Sequence, residues 1–433
     1  MKQTPLKIAS KKIVSTLSLL FLFTFLIQTN GFSATTIKKD TVEFKQYQGV
    51  VIDSKTKKEL VYATITVSGT NISTITNSQG DFSIKIPTVY LTNKIIVSYL
   101  GYTSQVIDIQ NLAENNNIIK LETYIEELSE VKIEVKDAKS LVLEMLKRRS
   151  QNYFSEQTTM TGFYRETIKK RRSYVSLSEA VVEIYKQSYS NSKNDILKLY
   201  KARKSTDYNK LDTITLKLQG GPFSALYMDI IKNPNLFFSE EGTDSYDFHF
   251  DAATKIDNKP VYVVSFAPKP HIEDPLYIGK LYIEAKSLAL KSATFQLDLK
   301  DIEKAARLFV VKKPNRADVI PIEANYHVDY REKNGEWFYG YSRIELGFKI
   351  DYDKRLFNSV YYLTMEMAIT DWEKNEENMS LKYKDRFKSN AILSDEASGF
   401  SDPEFWGEYN VIEPEKPIES AIKKIQKQLK KSN

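Results

Sequence analysis

The strongest constraint in this chain is a two-residue period in its second half. Ile322, Ala324, Tyr326, Val328 and Tyr330 alternate with Glu323, Asn325, His327, Asp329 and Arg331, and the chain then reaches Asn334 and Gly335. Ile344, Leu346, Phe348 and Ile350 alternate in turn with Arg343, Glu345, Gly347 and Lys349. Period two puts the apolar side chains on one face of a strand, and Asn-Gly between two such runs favours a type I′ hairpin turn. The pattern predicts long antiparallel strands with one apolar face and one solvated face. It recurs at Ala293, Phe295, Leu297 and Leu299 and at Leu363, Met365, Met367 and Ile369, with a helix from about Asp301 to Val311 between. Such a face needs a cover, either helices or a bound hydrophobic molecule. A half-barrel is the expected architecture, and Tyr326, Val328, Leu346 and Phe348 are the residues it would offer to an apolar ligand.

At 433 residues the chain exceeds one ordinary core, and its 42% hydrophobic content is enough to build two or three domains. Lys2, Lys7, Lys11 and Lys12 precede an apolar run from Ile13 to Ile27, with Gly31 and Ser33 behind it. This is the pattern of a cleaved secretory signal over residues 1–33, with a cut after Ser33 or after Ala34. Most of the formal +6 charge belongs to those four lysines, so the mature chain is nearly neutral. That balance, without a reading motif, argues against a nucleic-acid partner. The absence of cysteine removes disulfides, thiolate nucleophiles and thiolate metal sites.

Residues 46–123 read as a first, sandwich-like unit: short β-branched runs separated by Gly69, Asn71, Asn77, Gly80 and Gly101. Four blocks are more specific: GVVID at Gly49–Asp53, LVYATITVSGT at Leu60–Thr70, TNSQGDFSI at Thr76–Ile84 and VSYLGY at Val97–Tyr102. In their order and spacing they resemble the carboxypeptidase regulatory-like domain. The resemblance implies a seven-stranded, transthyretin-like sandwich and an accessory, non-catalytic role.

Residues 124–138 read as a linker, followed by a helix between Lys139 and Gln151 with Asp137 or Ser140 as its cap. Residues 139–400 form the β-rich second domain, and 401–433 a Pro-containing segment and a basic amphipathic helix. In that helix Ile418, Ile422, Ile425 and Leu429 make a stripe among Lys423, Lys424, Lys427, Lys430 and Lys431. Such a stripe either docks on the parent domain or makes peripheral contact with an anionic membrane. The stretch Tyr277–Asp298 looks like the strand-turn-strand repeat of carrier half-barrels of the LolA and LolB type. GFYRE at Gly162–Glu166, EAVVEIY at Glu179–Tyr185, KARKS at Lys201–Ser205 and GGP at Gly220–Pro222, behind a regulatory-like domain, are similar to cell-envelope proteins of Bacteroidota. That likeness implies the periplasm or outer membrane.

Catalytic motifs are sparse. His249, His271 and His327 are the only histidines, and none begins a zinc-peptidase pattern; His271 with Asp274 comes nearest. No G-x-S-x-G elbow is present. Glu240, Glu241, Asp371 and Glu373 read as solvated carboxylates, Lys169–Arg172 as a hairpin tip and GGP as a strand-end turn. The expectation is a mainly β, secreted, non-enzymatic envelope protein without cofactor or metal, whose partner is an envelope protein or an apolar ligand. The alternative is an envelope hydrolase acting on peptide or glycan, for which a cleft-facing His271 or His327 would speak.

Overall fold

In the computed structural model the described residues are 43–124, 137–206, 220–256, 259–309, 317–353, 358–375, 381–399, 405–415 and 418–420. The expected signal, most of the linker and most of the C-terminal basic helix lie outside them.

The first unit is a β-sandwich of two four-stranded sheets. Its strands are β1 (Phe44–Asp53), β2 (Thr64–Val67), β3 (Ser73–Ile75), β4 (Asp81–Pro87), β5 (Lys94–Ser98), β6 (Tyr102–Thr103), β7 (Gln105–Asp108) and β8 (Asn117–Thr123). One sheet runs β4-β1-β8-β6 and the other β3-β2-β5-β7. Eight strands rather than seven are present because Tyr102 and Thr103 pair briefly with the end of β8. Period two is clean here. Ile65, Val67, Ile95 and Val97 point inward with Phe82, Ile84 and Ile119, while Thr64, Thr66, Ile96 and Ser98 line the opposite face.

The second unit opens with α1 (Ala138–Lys147), capped by the Asp137 carboxylate, which accepts from the Ser140 N–H at 2.8 Å. Next come β9 (Thr158–Lys170), β10 (Ser173–Lys186), β11 (Ile196–Thr206) and α2 (Pro222–Leu226). The chain continues with β12 (Tyr246–Ile256), β13 (Lys259–Pro268), β14 (Tyr277–Glu284), β15 (Leu290–Leu297), α3 (Ile302–Phe309), β16 (Ala317–Lys333), β17 (Glu336–Tyr352), β18 (Ser359–Lys374) and β19 (Ser398–Gly399). They form one half-barrel-like sheet in the order β12-β13-β14-β15-β16-β17-β18-β9-β10-β11-β19. Every pairing is antiparallel except the short β11–β19 contact. Asn334 and Gly335 turn the β16–β17 hairpin with φ of 55° and 86°, as a type I′ turn requires.

The inner face of this sheet is covered by the chain itself. Leu141, Val142 and Met145 of α1 and Ala225 and Leu226 of α2 join Val328, Tyr330, Met365 and Met367 in one core. The GGP segment is therefore more than a strand-end turn: it opens a plug running to Phe238. Asp229 anchors the plug, accepting from Lys186 at 2.6 Å, Tyr189 at 2.8 Å and Tyr330 at 2.9 Å. Lys186 and Asp229 are both buried, so their pairing offsets a desolvation cost that either would carry alone.

The outer face departs most from expectation. A solvated face was expected, and the sandwich and the segment Phe405–Glu415 cover it instead. Directly paired residues on five adjacent strands form an alternating row: Arg203, Glu179, Arg165, Glu366 and Arg343. Glu179 accepts from Arg165 at 2.7 Å and from Arg203 at 2.8 Å, and Glu366 accepts from Arg343 at 3.0 Å and Arg165 at 3.5 Å. Burial alone would raise the Glu179 carboxyl; the Arg165 and Arg203 charges outweigh it and hold the group below its usual range. Arg165 also donates to the Ile412 carbonyl at 2.7 Å, and Trp406 lies 4.7 Å from the Arg203 guanidinium. The same segment grips the sandwich, with Asn410 accepting from the Lys85 N–H at 2.7 Å and donating to its carbonyl at 3.1 Å.

Replacing Glu179 with Ala leaves two buried arginines short of a counter-charge and is expected to cost about 3–5 kcal/mol. Urea unfolding measures it, and a loss below about 1 kcal/mol would show the row to be incidental. A second expectation concerns Glu166 on the inner face, which accepts from Tyr164 at 3.0 Å. Burial raises its carboxyl from 4.5 to about 7 against that hydrogen bond. The folded chain then holds a proton that the unfolded chain releases, so stability falls as pH rises from about 4.5 to 7 and levels off above. Glu166→Gln should flatten that slope in melting curves, and an unchanged slope would place the titration elsewhere.

Candidate interdomain binding cleft

The outer face of the sandwich's second sheet does not seat flush on the large sheet. Two adjoining cavities remain, of about 520 Å³ and about 340 Å³, sharing Thr64, Ser98, Lys291 and Arg331. Both lie within the usual size range of small-ligand sites, about 300–1,000 Å³.

The larger cavity has a hydroxyl wall and a basic, aromatic wall. Thr64 and Ser98 are direct cross-strand partners, and Thr66 stands two residues along β2. Strand period two aims all three away from the sandwich core. Opposite them are Lys259 of β13, Lys291 of β15, Arg331 and Lys333 of β16, Trp337 of β17 and Trp372 of β18. Lys291 is the extra residue of a bulge: Ser292 pairs with Tyr282 and Leu290 with Ile283, which leaves Lys291 between them. Bulges re-aim a side chain in this way. Lys291 sits 5.7 Å and Lys259 5.9 Å from the centre of the Trp337 ring, and Lys333 lies 5.5 Å from that of Trp372. A second bulge places Gly340 opposite the pair Asp329 and Tyr330, where a Cβ would meet the Arg331 side chain at 2.8 Å. Glycine there lets Arg331 lie along the sheet and donate to Ser73 and to the Ile369 carbonyl.

The carboxylates in the lining are engaged. Glu284 accepts from the Lys286 and Ser287 N–H groups at 3.1 and 2.7 Å, and Glu332 accepts from Lys259 at 2.7 Å and from the Gly335 N–H at 2.6 Å. Lys333 donates to the neutral Asn71 amide oxygen, and burial lowers its pKa, with Asp371 opposing. Four cations face two carboxylates among the described lining residues.

The smaller cavity holds His327, Asp329, Tyr62 and Arg343. His327 Nε2 is 2.7 Å from Asp329 Oδ2. Burial works against the Asp329 carboxylate, but His327 and a nearby lysine charge outweigh it and keep the group below its usual range. Ser292 is the cross-strand neighbour of Asp329 and not of His327, whose partner on β15 is Thr294. A histidine-activated nucleophile needs the reverse order. His249 and His271 are exposed and far along the chain from this pair. Among the described residues no group of three or more histidines and carboxylates can hold a metal ion.

The four residues expected to meet an apolar ligand share the inner face, and of them Tyr326 also lines the smaller cavity. Val328 and Phe348 are 0% and 5% exposed. Tyr326 stacks on Phe295 at 5.2 Å, Phe309 of α3 meets Phe348 edge-on at 5.7 Å, and Leu346 lies between these two clusters. The cleft residues escaped the sequence reading because the polar face of β2 and a bulged lysine carry no motif.

Residues 47–133 match the CarboxypepD_reg-like domain. The CarboxypepD_reg-like domain thus supplies the hydroxyl wall of the cleft. No curated protein sequence matches the chain. Solved structures overlap it, three of them as follows. A DUF1329 family protein from Desulfovibrio piger has 10% identity and a TM-score of 0.25, covering 57% of this chain and 96% of its own. A LolA superfamily protein from Nitrosomonas europaea has 12% identity and a TM-score of 0.21, covering 58% and 98%. Lipovitellin, solved in a study of lipid–protein interactions, has 8% identity and a TM-score of 0.26, covering 56% and 28%. At these scores the overlaps carry no argument about the second unit, whose form rests on its own strand pairings.

Filling the larger cavity from its hydroxyl wall should leave the fold standing. Thr66→Trp is expected to shift the melting temperature by no more than a few degrees, since Thr66 faces the cavity and not the sandwich core. A collapse of the melting transition would mean that this wall is packed rather than open.

Proposed function

We propose that this chain is a non-catalytic binding protein of the bacterial cell envelope that holds its ligand in the cleft between its two units. The observation that carries this is the pair of adjoining cavities, walled on one side by hydroxyls and on the other by lysines and indoles. The inner face supports an apolar ligand less well, because Val328 and Phe348 already pack against the chain's own side chains. The envelope location rests on the charged and apolar leader before residue 34 and on the accessory domain type.

A second reading, an envelope hydrolase, draws on the His327–Asp329 pair in the smaller cavity. Product release from peptide or glycan substrates, abolished by His327→Ala, would put that reading first.

Two measurements check the proposal. Chain recovered from the envelope of its host should begin at Ala34 or Thr35 by intact mass, and an N-terminus that keeps the run from Ile13 to Ile27 overturns cleaved secretion. A panel of saccharides, nucleotides and detergent-dispersed phospholipids, read by thermal shift, should contain a compound that stabilises the wild type and not Thr66→Trp. Equal stabilisation of both proteins, or none of either, overturns the cleft as the site.

A further inference from the structure

The chemistry of the larger cavity narrows its ligand, on the reading that the cleft is the binding site. We infer that it is built for an acidic saccharide, a short chain of sugar units carrying carboxylates.

Three observations converge. The hydroxyls of Thr64, Thr66 and Ser98 line one wall, and none has a hydrogen-bond partner among the described residues. Hydroxyls both donate and accept, which matches the hydroxyl groups of a sugar and gives nothing to an acyl chain. Facing them, the half-buried Trp372 offers an indole suited to the apolar face of a sugar ring, while Trp337, 3% exposed, lies in the floor of the cavity beneath Lys259 and Lys291. The Trp372 Nε1 hydrogen is buried without an acceptor among the described residues, an unmet donor on a lining residue. The third observation is charge. Lys291 and Lys333 come from different strands and line the cavity as separate point charges, Lys291 donating to the Tyr330 carbonyl at 3.2 Å and Lys333 to Asn71, and the two lining carboxylates, Glu284 and Glu332, are fewer than the four lining cations.

A phosphate group would call for another arrangement. Phosphate sites gather several donors on one oxygen cluster, through a helix N-terminus, a nest of backbone N–H groups or an arginine fork. The cavity is lined by strands and turns, and the Nη1 of its arginine, Arg331, is bonded to Ser73 and the Ile369 carbonyl, which takes away one arm of a fork. Separate lysines across a hydroxyl-lined slot suit single negative charges spaced along a chain.

The test is a tryptophan-fluorescence titration of the full mature chain with oligogalacturonates of two to four units. Neutral cello-oligosaccharides of equal length and inorganic phosphate serve as comparisons. Saturable binding of the acidic series is expected, weakening with added salt, with the neutral series and phosphate at least about tenfold weaker. Lys333→Glu should weaken the acidic series by about tenfold or more while melting like the wild type. Lys333→Gln, which keeps a donor and loses the charge, should fall between. Equal binding of neutral and acidic series, displacement by phosphate, or a well-folded Lys333→Glu that binds as before would overturn the inference. Failure of the acidic series with another compound still blocked by Thr66→Trp would sink the ligand class and leave the cleft standing.

Discussion

The interaction on which the structure depends is the buried row of alternating charge across β11, β10, β9, β18 and β17. Each member is the direct cross-strand neighbour of the next, so the row is fixed by strand register. A one-residue slip in any pairing would turn one member to the inner face and leave its neighbours without a counter-charge in a buried place. The row therefore adds little through surface-type attraction. Its contribution is specificity of register, because wrong pairings are penalised more than the right one is rewarded.

That row sets what the rest of the chain must do. A sheet with arginines and glutamates at its centre would ordinarily leave that face in water. Here the sandwich and Phe405–Glu415 cover it, and the cover has to satisfy the remaining donors. The Ile412 carbonyl meets Arg165 and the Trp406 ring lies over Arg203, while within the sheet the Tyr341 hydroxyl donates to Glu366 at 3.1 Å. The same segment reaches Lys85, Asn77 and Ser78 on the sandwich side. Sandwich, segment and sheet thus share one set of hydrogen bonds, and the orientation of the first unit follows from the charges of the second.

The inner face was legible in the sequence because hydrophobic alternation has one physical reading: Ala324, Tyr326 and Val328 lie on the buried side as their spacing predicts. Ile322 breaks the rule. It stands 43% exposed where the β16 ladder shifts between Pro321 and Glu323, and a bulge leaves no trace in alternation. The outer face was not legible, since Glu179 or Arg165 in a strand looks the same whether water or another domain lies over it. Only tertiary contact decides that. The GGP plug was missed for a related reason: Asp229 is held by Lys186, Tyr189 and Tyr330, all distant in sequence. The cleft combines both difficulties, being made of polar-face residues and a bulged lysine.

The position of the cleft follows from the same row. Beyond Arg343 the next register partner is His327 on β16, and after it Thr294 on β15. Alternation would call for a carboxylate at His327, and none is there. Arg343 turns back along its own strand to Glu345 at 2.6 Å, and His327 does likewise to Asp329 at 2.7 Å. Both are i, i+2 pairs that no longer tie one strand to the next. Over the ladder, Ile75, Phe163, Val181, Trp406 and Ile412 close into one apolar cluster. Where the ladder ends, Tyr62 is the last aromatic contact, 5.4 Å from Tyr341 and 6.1 Å from His327, and the two surfaces then part to form the cavities. The sandwich is thus held firmly at one side by a complete set of charge partners and left standing off the sheet at the other. A cleft at that margin has rigid walls without needing a tight interface of its own, which is what a preformed binding site requires.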